Sequence, residues 1–251
     1  MHARSASSAN QRSRSPRRRA GRIARSSVEG SFNARDQLLD TASRLMSDRH
    51  SIDVSLSEIA SHSGLNSALV KYYFGNKDGL LLALVEREAV AALRGLEELL
   101  QMNLSATEKL QRHIAGVINN FFRTPYLNRL LHSLLDERQS ESRSVRQVNR
   151  IFVKPLLELQ RQLLAQGVAS GEFRPIDPVL FYVSVLGACD HLFNARYALR
   201  SAFGGPGITD AVRQKYAEHV CDIFLCGLKS DAARRPRRRP SPREQSERKG
   251  S

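Results

Sequence analysis

Residues 54–82, VSLSEIASHSGLNSALVKYYFGNKDGLLL, decide the fold of this chain. Ser55 stands three residues before Glu58, which is the spacing of a capping box at a helix N-terminus. Gly64 can adopt a positive φ cheaply, so a first short helix can end there and the chain can turn sharply. Asn66 is a good N-cap for a second short helix. Two helices joined by a short turn with glycine have the layout of a DNA-binding helix-turn-helix.

The second helix, at about 67–74, carries the residues that can meet DNA. Its apolar positions should face the core, which leaves small and polar residues for the outer face. Small residues at its start let such a helix enter the major groove, where lysine can reach guanine acceptors and tyrosine hydroxyls can bond phosphates. The candidate DNA contacts are Arg35, Ser55, Asn66, Ser67, Ala68, Lys71, Tyr72, Tyr73 and Lys77. The alternative is an ordinary helical hairpin whose polar face is only solvated.

The stretch from about Ala34 to Ala83 resembles the DNA-binding domain of the tetracycline-repressor family, the TetR/AcrR-like regulators. The resemblance rests on Ser55, Glu58-Ile59-Ala60, Gly64-Leu65-Asn66-Ser67, Val70-x-x-Tyr73-Phe74 and Asn76-Lys77-x-x-Leu80-Leu81. Family members usually have an aromatic residue where this chain has Lys71, so the operator preference of relatives cannot be transferred to it. The resemblance implies a DNA-binding transcriptional regulator whose second, helical domain encloses a small-molecule site.

The net charge of +14 is concentrated at the two ends of the chain. Residues 1–30 contain eight Arg and one acidic residue, and residues 231–251 contain eight Arg or Lys and three acidic residues. These ends are poor in apolar residues, so we expect two disordered tails, one Arg/Ser-rich and one Arg/Pro-rich. The first tail could follow the DNA backbone as an arm, or it could be solvated without ordered contact.

Helical periodicity continues through the rest of the chain, with almost no strand signal. The sequence predicts an all-α fold of about nine helices, with a helix-turn-helix domain at 31–83 and an effector-binding and dimerisation domain at 84–230. Helices are expected at about 33–48, 77–100, 106–123, 126–137, 145–166, 178–203 and 208–228, besides the helix-turn-helix pair. Pro155 should kink or restart the helix that contains it.

The last two helices, 178–203 and 208–228, are apolar over wider arcs than one core contact needs. The resemblance implies that they pair across a two-fold axis in a homodimer, which would give a symmetric operator two recognition helices about one DNA turn apart. The alternative is a monomer that uses these faces internally.

The resemblance also implies a small hydrophobic effector, held by a mostly apolar pocket with a few polar groups. Its walls should come from the helices at 105–123, 126–137, 145–166 and 178–203. The candidate ligand contacts are His113, Asn120, Phe121, His132, Phe152, Phe181, Tyr182, His191 and Asn194.

The three cysteines, Cys189, Cys221 and Cys226, fit no metal-ligand spacing and lie in apolar stretches, so we expect buried thiols in a reducing cytoplasm. We expect no metal, no cofactor and no membrane segment. No Gly-rich phosphate loop or nucleophile elbow is present, which argues against an enzyme.

The sequence therefore favours a cytoplasmic, homodimeric transcriptional regulator, with repression as the direction that the family implies. The rivals are a protein that coats nucleic acid through its basic tails, and a helical small-molecule enzyme. Operator preference that survives deletion of the tails would separate a regulator from a coating protein.

Overall fold

The computed structural model describes residues 34–135, 143–195, 198–199, 201 and 207–230. The helices are α1 (34–49), α2 (Leu56–Ser63), α3 (Ser67–Phe74), α4 (Lys77–Gln101), α5 (Ala106–Arg123), α6 (Leu127–Leu134), α7 (Arg143–Val148), α8 (Lys154–Ala169), α9 (Pro178–Asn194) and α10 (Asp210–Leu228). The two Arg-rich tails, for which disorder was predicted, lie outside the described residues.

The all-α prediction is confirmed. A π-helical segment, Asn149–Val153, joins α7 to α8, so the described ranges form nine continuous helical stretches. Between described residues, the only β-type pairing is an isolated bridge from Phe173 to Lys229. None of the helices in these ranges is long and apolar enough to cross a lipid bilayer.

The first four helices share one core. Leu38, Leu39 and Met46 of α1 are fully buried against Ile59 of α2 and Val70 of α3. Burying three such side chains stabilises the packing by roughly 1.5–3 kcal/mol each, which the two eight-residue helices α2 and α3 need because helices of that length are unstable alone. The core therefore fixes α3 by its inner side.

A second core is formed by the C-terminal end of α4 with α5, α8, α9 and α10, and in it α5 packs against α8, α9 and α10. Ser105 and Glu108 make a complete capping box at the start of α5. The carboxylate of Glu172, which follows α8, also accepts hydrogen bonds from the N–H groups of Ala106 (3.0 Å) and Thr107 (2.9 Å). Burial opposes ionisation of Glu172, but the hydrogen bonds from Thr107, Ala106 and Ser170 outweigh it and lower its pKa to about 2.

Pro155 sets the local structure between α7 and α8. It has no N–H to donate to the preceding turn, and the chain widens into the π-helical segment directly before it. The restart predicted at Pro155 thus takes the form of a change of helix type, with α8 beginning at Lys154.

Two predictions about the last helices are wrong in detail. α9 ends at Asn194 rather than near residue 203, because the chain turns there and Leu199 packs back against the second core. Cys189 and Cys221 are buried, but Cys226 is exposed because it lies on the solvent side of α10.

Candidate functional site

The turn between α2 and α3 is built by its capping residues. Ser55 Oγ accepts a hydrogen bond from the Glu58 N–H at 3.2 Å, and Asn66 Oδ1 accepts one from the Ala68 N–H at 2.8 Å. Gly64 has φ 69° and ends α2 in the left-handed conformation. The capping box predicted at Ser55 is only half formed, because the Glu58 side chain pairs with Arg49 instead of returning to Ser55.

The outer face of α3 is exposed along its length. Val70 and Phe74 are buried beneath it, whereas Ser67, Ala68 and Lys71 are exposed. Tyr72 is 79% exposed, the largest exposed fraction among the large hydrophobic residues of the described chain. Tyr73 is half-buried, with its ring 5.1 Å from that of Tyr72. Small residues in the first turn, followed by a lysine and a tyrosine, leave room for the helix to lie in a DNA groove.

Two further candidate DNA contacts lie beside α3 but have protein partners. Lys77 Nζ is 3.4 Å from Asp53 Oδ1, in an exposed ion pair. The Arg35 guanidinium lies 5.7 Å from the centre of the Phe74 ring and 4.0 Å from Asp36. Exposed pairs of this kind are weak, so a phosphate could compete for either cation.

A cavity of about 370 Å³ lies between α4, α5, α6, α8 and α9. Its apolar wall residues include Leu96, Leu99, Leu127, Leu131, Leu156, Val185 and Leu186. Gly95 and Gly116 line it without side chains, and a Cβ atom added at either would meet no atom within 4 Å. The volume lies in the range of small-molecule sites.

A second cavity of about 230 Å³ shares Phe121, Leu131, Phe152 and Leu186 with the first. Its polar side is formed around Asp190, whose Oδ2 accepts a hydrogen bond from Asn194 at 2.9 Å and lies 3.5 Å from His132 Nε2. Burial outweighs these partners and raises the pKa of the Asp190 carboxyl.

The structure distributes the candidate ligand contacts over three places. His113, Asn120, Phe121 and Phe152 line the larger cavity, and His132 and Tyr182 line the smaller one. Phe181, His191 and Asn194 line neither cavity. Phe181 packs edge-on against Phe224 in the core, and the other two side chains are exposed on the outer side of α9.

Gln160 of α8 is a polar cavity residue that the sequence reasoning missed. It is 2% exposed, and its Nε2 atom is 2.9 Å from His113 Nε2. Burial lowers the pKa of His113 to about 4, so its imidazole is uncharged at neutral pH. A periodic signal existed, because Gln160 follows Leu156 by four residues and precedes Leu163 by three, on the apolar stripe of α8.

An apolar surface lies on the outer sides of α9 and α10. Val179, Leu180 and Val183 of α9 are 48%, 67% and 59% exposed, and Ile223 of α10 is 57% exposed. Val220, at the third position before Ile223, instead packs in the core. The four exposed side chains, by contrast, are not part of the core of a single chain.

The two cores meet at α6. Tyr126, just before α6, is fully buried among side chains of α1 and α4, and its hydroxyl donates a hydrogen bond to Ser43 Oγ at 2.9 Å. Leu127 and Leu131, on the same helix, line the larger cavity. One short helix thus contacts both the core beneath α3 and the wall of the cavity.

The two parts of the chain match two family models. Residues 38–84 match "Bacterial regulatory proteins, tetR family", and residues 103–233, more than half of the chain, match "Tetracyclin repressor-like, C-terminal domain". The chain is also similar to the HTH-type transcriptional regulator BetI of Brucella anthropi, with 31% identity over 125 residues. That alignment covers 49% of this chain and 62% of the relative. The BetI of Rhizobium meliloti is 37% identical over 67 residues, covering 24% of this chain and 33% of the relative, so the chain spans less than two thirds of either.

Solved structures have the same fold. The transcriptional regulator FadR from Bacillus subtilis, determined in complex with stearoyl-CoA, has a TM-score of 0.60 and 22% identity, covering 76% of this chain and 97% of its own. A TetR/AcrR-family regulator from Thermobifida fusca has a TM-score of 0.57 and 22% identity, covering 79% and 100%. The helix-turn-helix, the cavity-bearing helical body and the two family matches thus agree: the chain belongs to the tetR family of bacterial regulatory proteins.

Proposed function

We propose that this protein acts in the cytoplasm as a homodimer that binds a palindromic operator and represses transcription until a small hydrophobic effector enters the cavity. Residues 31–83 are its DNA-binding domain, and residues 84–230 bind the effector and form the dimer. The Arg-rich tails at 1–30 and 231–251 add non-specific electrostatic attraction to DNA.

The exposed outer face of α3 carries this proposal. Val70 and Phe74 hold the helix from below, so Ser67, Lys71 and Tyr72 project from a fixed support. Side chains held in this way can keep one register against base edges and phosphates.

The apolar surface of α9 and α10 supports the dimer. Isolated exposed apolar residues are common, but four on adjacent helices favour an interface with another chain. A two-fold axis through this surface pairs identical patches and presents two copies of α3 to one side of the duplex. The matching half-sites are then expected about 34–36 Å apart.

The DNA assignment is tested by footprinting the protein on its own promoter and measuring binding by fluorescence anisotropy with excess non-specific competitor DNA. Lys71→Ala should change which operator variants are preferred, because a lysine at a base edge discriminates by roughly 1–3 kcal/mol. Lys77→Ala should weaken all sites alike and reduce the salt slope by about 1. Lys154→Ala, at an exposed lysine of α8, is the matched control.

A regulator of this kind protects two symmetric half-sites. If the footprint is asymmetric and competitor DNA removes all binding, the tails alone hold the DNA and the coating alternative is correct. If the wild type and Lys71→Ala prefer the same operator variants to the same degree, Lys71 does not contact the base edges.

The dimer assignment is tested with Leu180→Glu and the control Val168→Glu, which changes another exposed apolar residue, on α8. A carboxylate buried in an interface loses hydration without a counter-charge, so Leu180→Glu should give monomers. Light scattering reads the mass directly. A dimer that persists in Leu180→Glu places the interface elsewhere.

A further inference from the structure

The amide of Gln160 has an unusual position for a polar group. Its side chain is almost fully buried, lines the 370 Å³ cavity and makes one hydrogen bond, to His113. Among the described residues its Oε1 atom has no hydrogen-bond partner. A buried amide oxygen without a partner costs roughly 1–3 kcal/mol, so native proteins seldom keep one unless something else binds there. The cavity beside it is where a ligand would supply the missing partner.

The chemistry of the missing partner follows from the Gln160–His113 pair. As placed, the amide nitrogen donates to His113 Nε2, which leaves the amide oxygen as an acceptor. If the amide is turned over, its oxygen accepts from His113 Nε2–H, and the amide nitrogen becomes the free donor. In both arrangements one hydrogen-bonding group is left for the cavity, and His113 fixes the plane of the amide.

The Gln160–His113 pair itself carries no charge. The charged residues in the wall are Glu88, Arg112 and Arg123; the two arginines are exposed, and Glu88 already pairs with Arg87 at 3.3 Å. His113 is neutral, because burial lowers the pKa of its imidazole. A carboxylate or ammonium group beside Gln160 would therefore lose its hydration without gaining a counter-charge.

We propose that the cavity binds an apolar molecule that carries an uncharged hydroxyl group, and that this hydroxyl hydrogen-bonds to the Gln160 amide, with His113 as the positioning residue. A hydroxyl both donates and accepts, so it satisfies either orientation of the amide. The apolar body lies against Leu96, Leu156 and Val185. The proposal rests on the proposed function in one respect: the cavity is taken as the effector site.

Binding to the full-length protein is measured by calorimetry with four probes that share a ten-carbon chain: 1-decanol, decyl methyl ether, decanoate and decylammonium. Decanol is expected to bind most tightly, since it alone brings an uncharged donor and acceptor. Gln160→Leu should weaken decanol binding by about 5- to 150-fold, the range that one buried hydrogen bond to an otherwise unpaired group commands. It should leave the weak binding of the charged probes unchanged.

Gln162→Leu is the matched control, because Gln162 is an exposed glutamine one half-turn away on α8. Its decanol affinity should equal that of the wild type. Circular dichroism and the urea midpoint check that both variants fold, and Gln160→Met, which keeps the length of the side chain, replaces Gln160→Leu if the latter is unfolded.

The proposal is overturned if decanoate or decylammonium binds as tightly as decanol, if decanol affinity does not change in the Gln160 variants, or if none of the probes binds. Operator binding is measured separately, both without any probe and in the presence of decanol. Operator binding with Gln160-independent decanol binding refutes only the hydroxyl proposal. Decanol binding through Gln160 without any effect on operator affinity refutes the effector role and leaves the hydroxyl site standing.

Discussion

The hydrogen bond between Tyr126 and Ser43 joins α6 to α1, and its strength can be predicted. Tyr126→Phe keeps the ring in the core and removes the neutral hydrogen bond of 2.9 Å to Ser43. Such a bond contributes about 1 kcal/mol net. Ser43 is half-buried and can regain water in the variant, so the cost should stay near this value.

Ser43→Ala should cost more, roughly 1–2 kcal/mol, because it leaves the buried tyrosine hydroxyl without this acceptor. Burial already raises the pKa of Tyr126, which reflects how little water reaches its oxygen. In Tyr126→Phe the tyrosine hydroxyl is absent, so Ser43 has no hydrogen bond from it to lose. The double variant should therefore be about as stable as Tyr126→Phe alone, with a coupling energy of roughly 1–2 kcal/mol.

Urea unfolding at one fixed protein concentration measures these values, since the stability of a dimer depends on concentration. Each 1 kcal/mol corresponds to roughly 2–4 °C in Tm for a chain of this size. Tyr182→Phe is the control, because the Tyr182 hydroxyl makes no hydrogen bond within the described residues and its loss should be nearly neutral. Strictly additive effects of the two substitutions, within about 0.3 kcal/mol, would refute the reasoning.

Three other predictions follow from single contacts. Glu172→Gln should destabilise the protein by about 1 kcal/mol at pH 7, as loss of a helix cap does. Because the pKa of Glu172 is lowered to about 2 in the folded state, the wild type should be more stable than the variant above about pH 4.5. This difference in stability should disappear in acid-unfolding curves as the pH falls towards 2. Asp53→Asn should strengthen DNA binding at all sites about 2- to 5-fold in anisotropy titrations at low salt, because Lys77 loses its competing carboxylate; unchanged affinity would remove Lys77 from the phosphate contacts. Gly116→Ala should raise the free energy of unfolding by about 1 kcal/mol, because the added Cβ atom meets no other atom. Gly64→Ala should lower it by about 1 kcal/mol, because Gly64 has φ 69°. Equal effects of the two variants in urea unfolding would contradict the positive φ at Gly64.

The helix-turn-helix was predictable because its signals are local. Ser55 and Asn66 cap the next helix within three residues, and Gly64 ends one by its own backbone freedom. The predicted hydrogen bond from Ser55 to the Glu58 side chain could not be judged from local sequence alone. Glu58 pairs instead with Arg49, whose position relative to α2 is set by the packing of α1 across the core.

The cavity residues could be predicted only in part, because helix rotation decides which polar residues face inward. Gln160 and Gln162 are both glutamines of α8, two positions apart, yet Gln160 is 2% exposed and Gln162 faces solvent. The leucines of α8 set that rotation. The polar ring of His191 on an apolar helix predicts a ligand contact, but adjacent residues on a helix point about 100° apart, and Asp190 rather than His191 lines the smaller cavity.

The core that supports α3 also contains residues beyond position 83, where the predicted DNA-binding domain ends. Tyr126 and Leu130 of the α6 region lie in the same core as Leu38 of α1, while Leu127 and Leu131 line the larger cavity. α6 has only two turns and is packed on both sides, so it moves as one piece. A ligand that displaces its cavity side must also shift its contacts with α1 and α4, on which α3 is held. Side chains that contact neither the effector nor the operator are therefore expected to transmit the coupling between the two sites. One of these contacts is the hydrogen bond between Tyr126, just before α6, and Ser43 of α1.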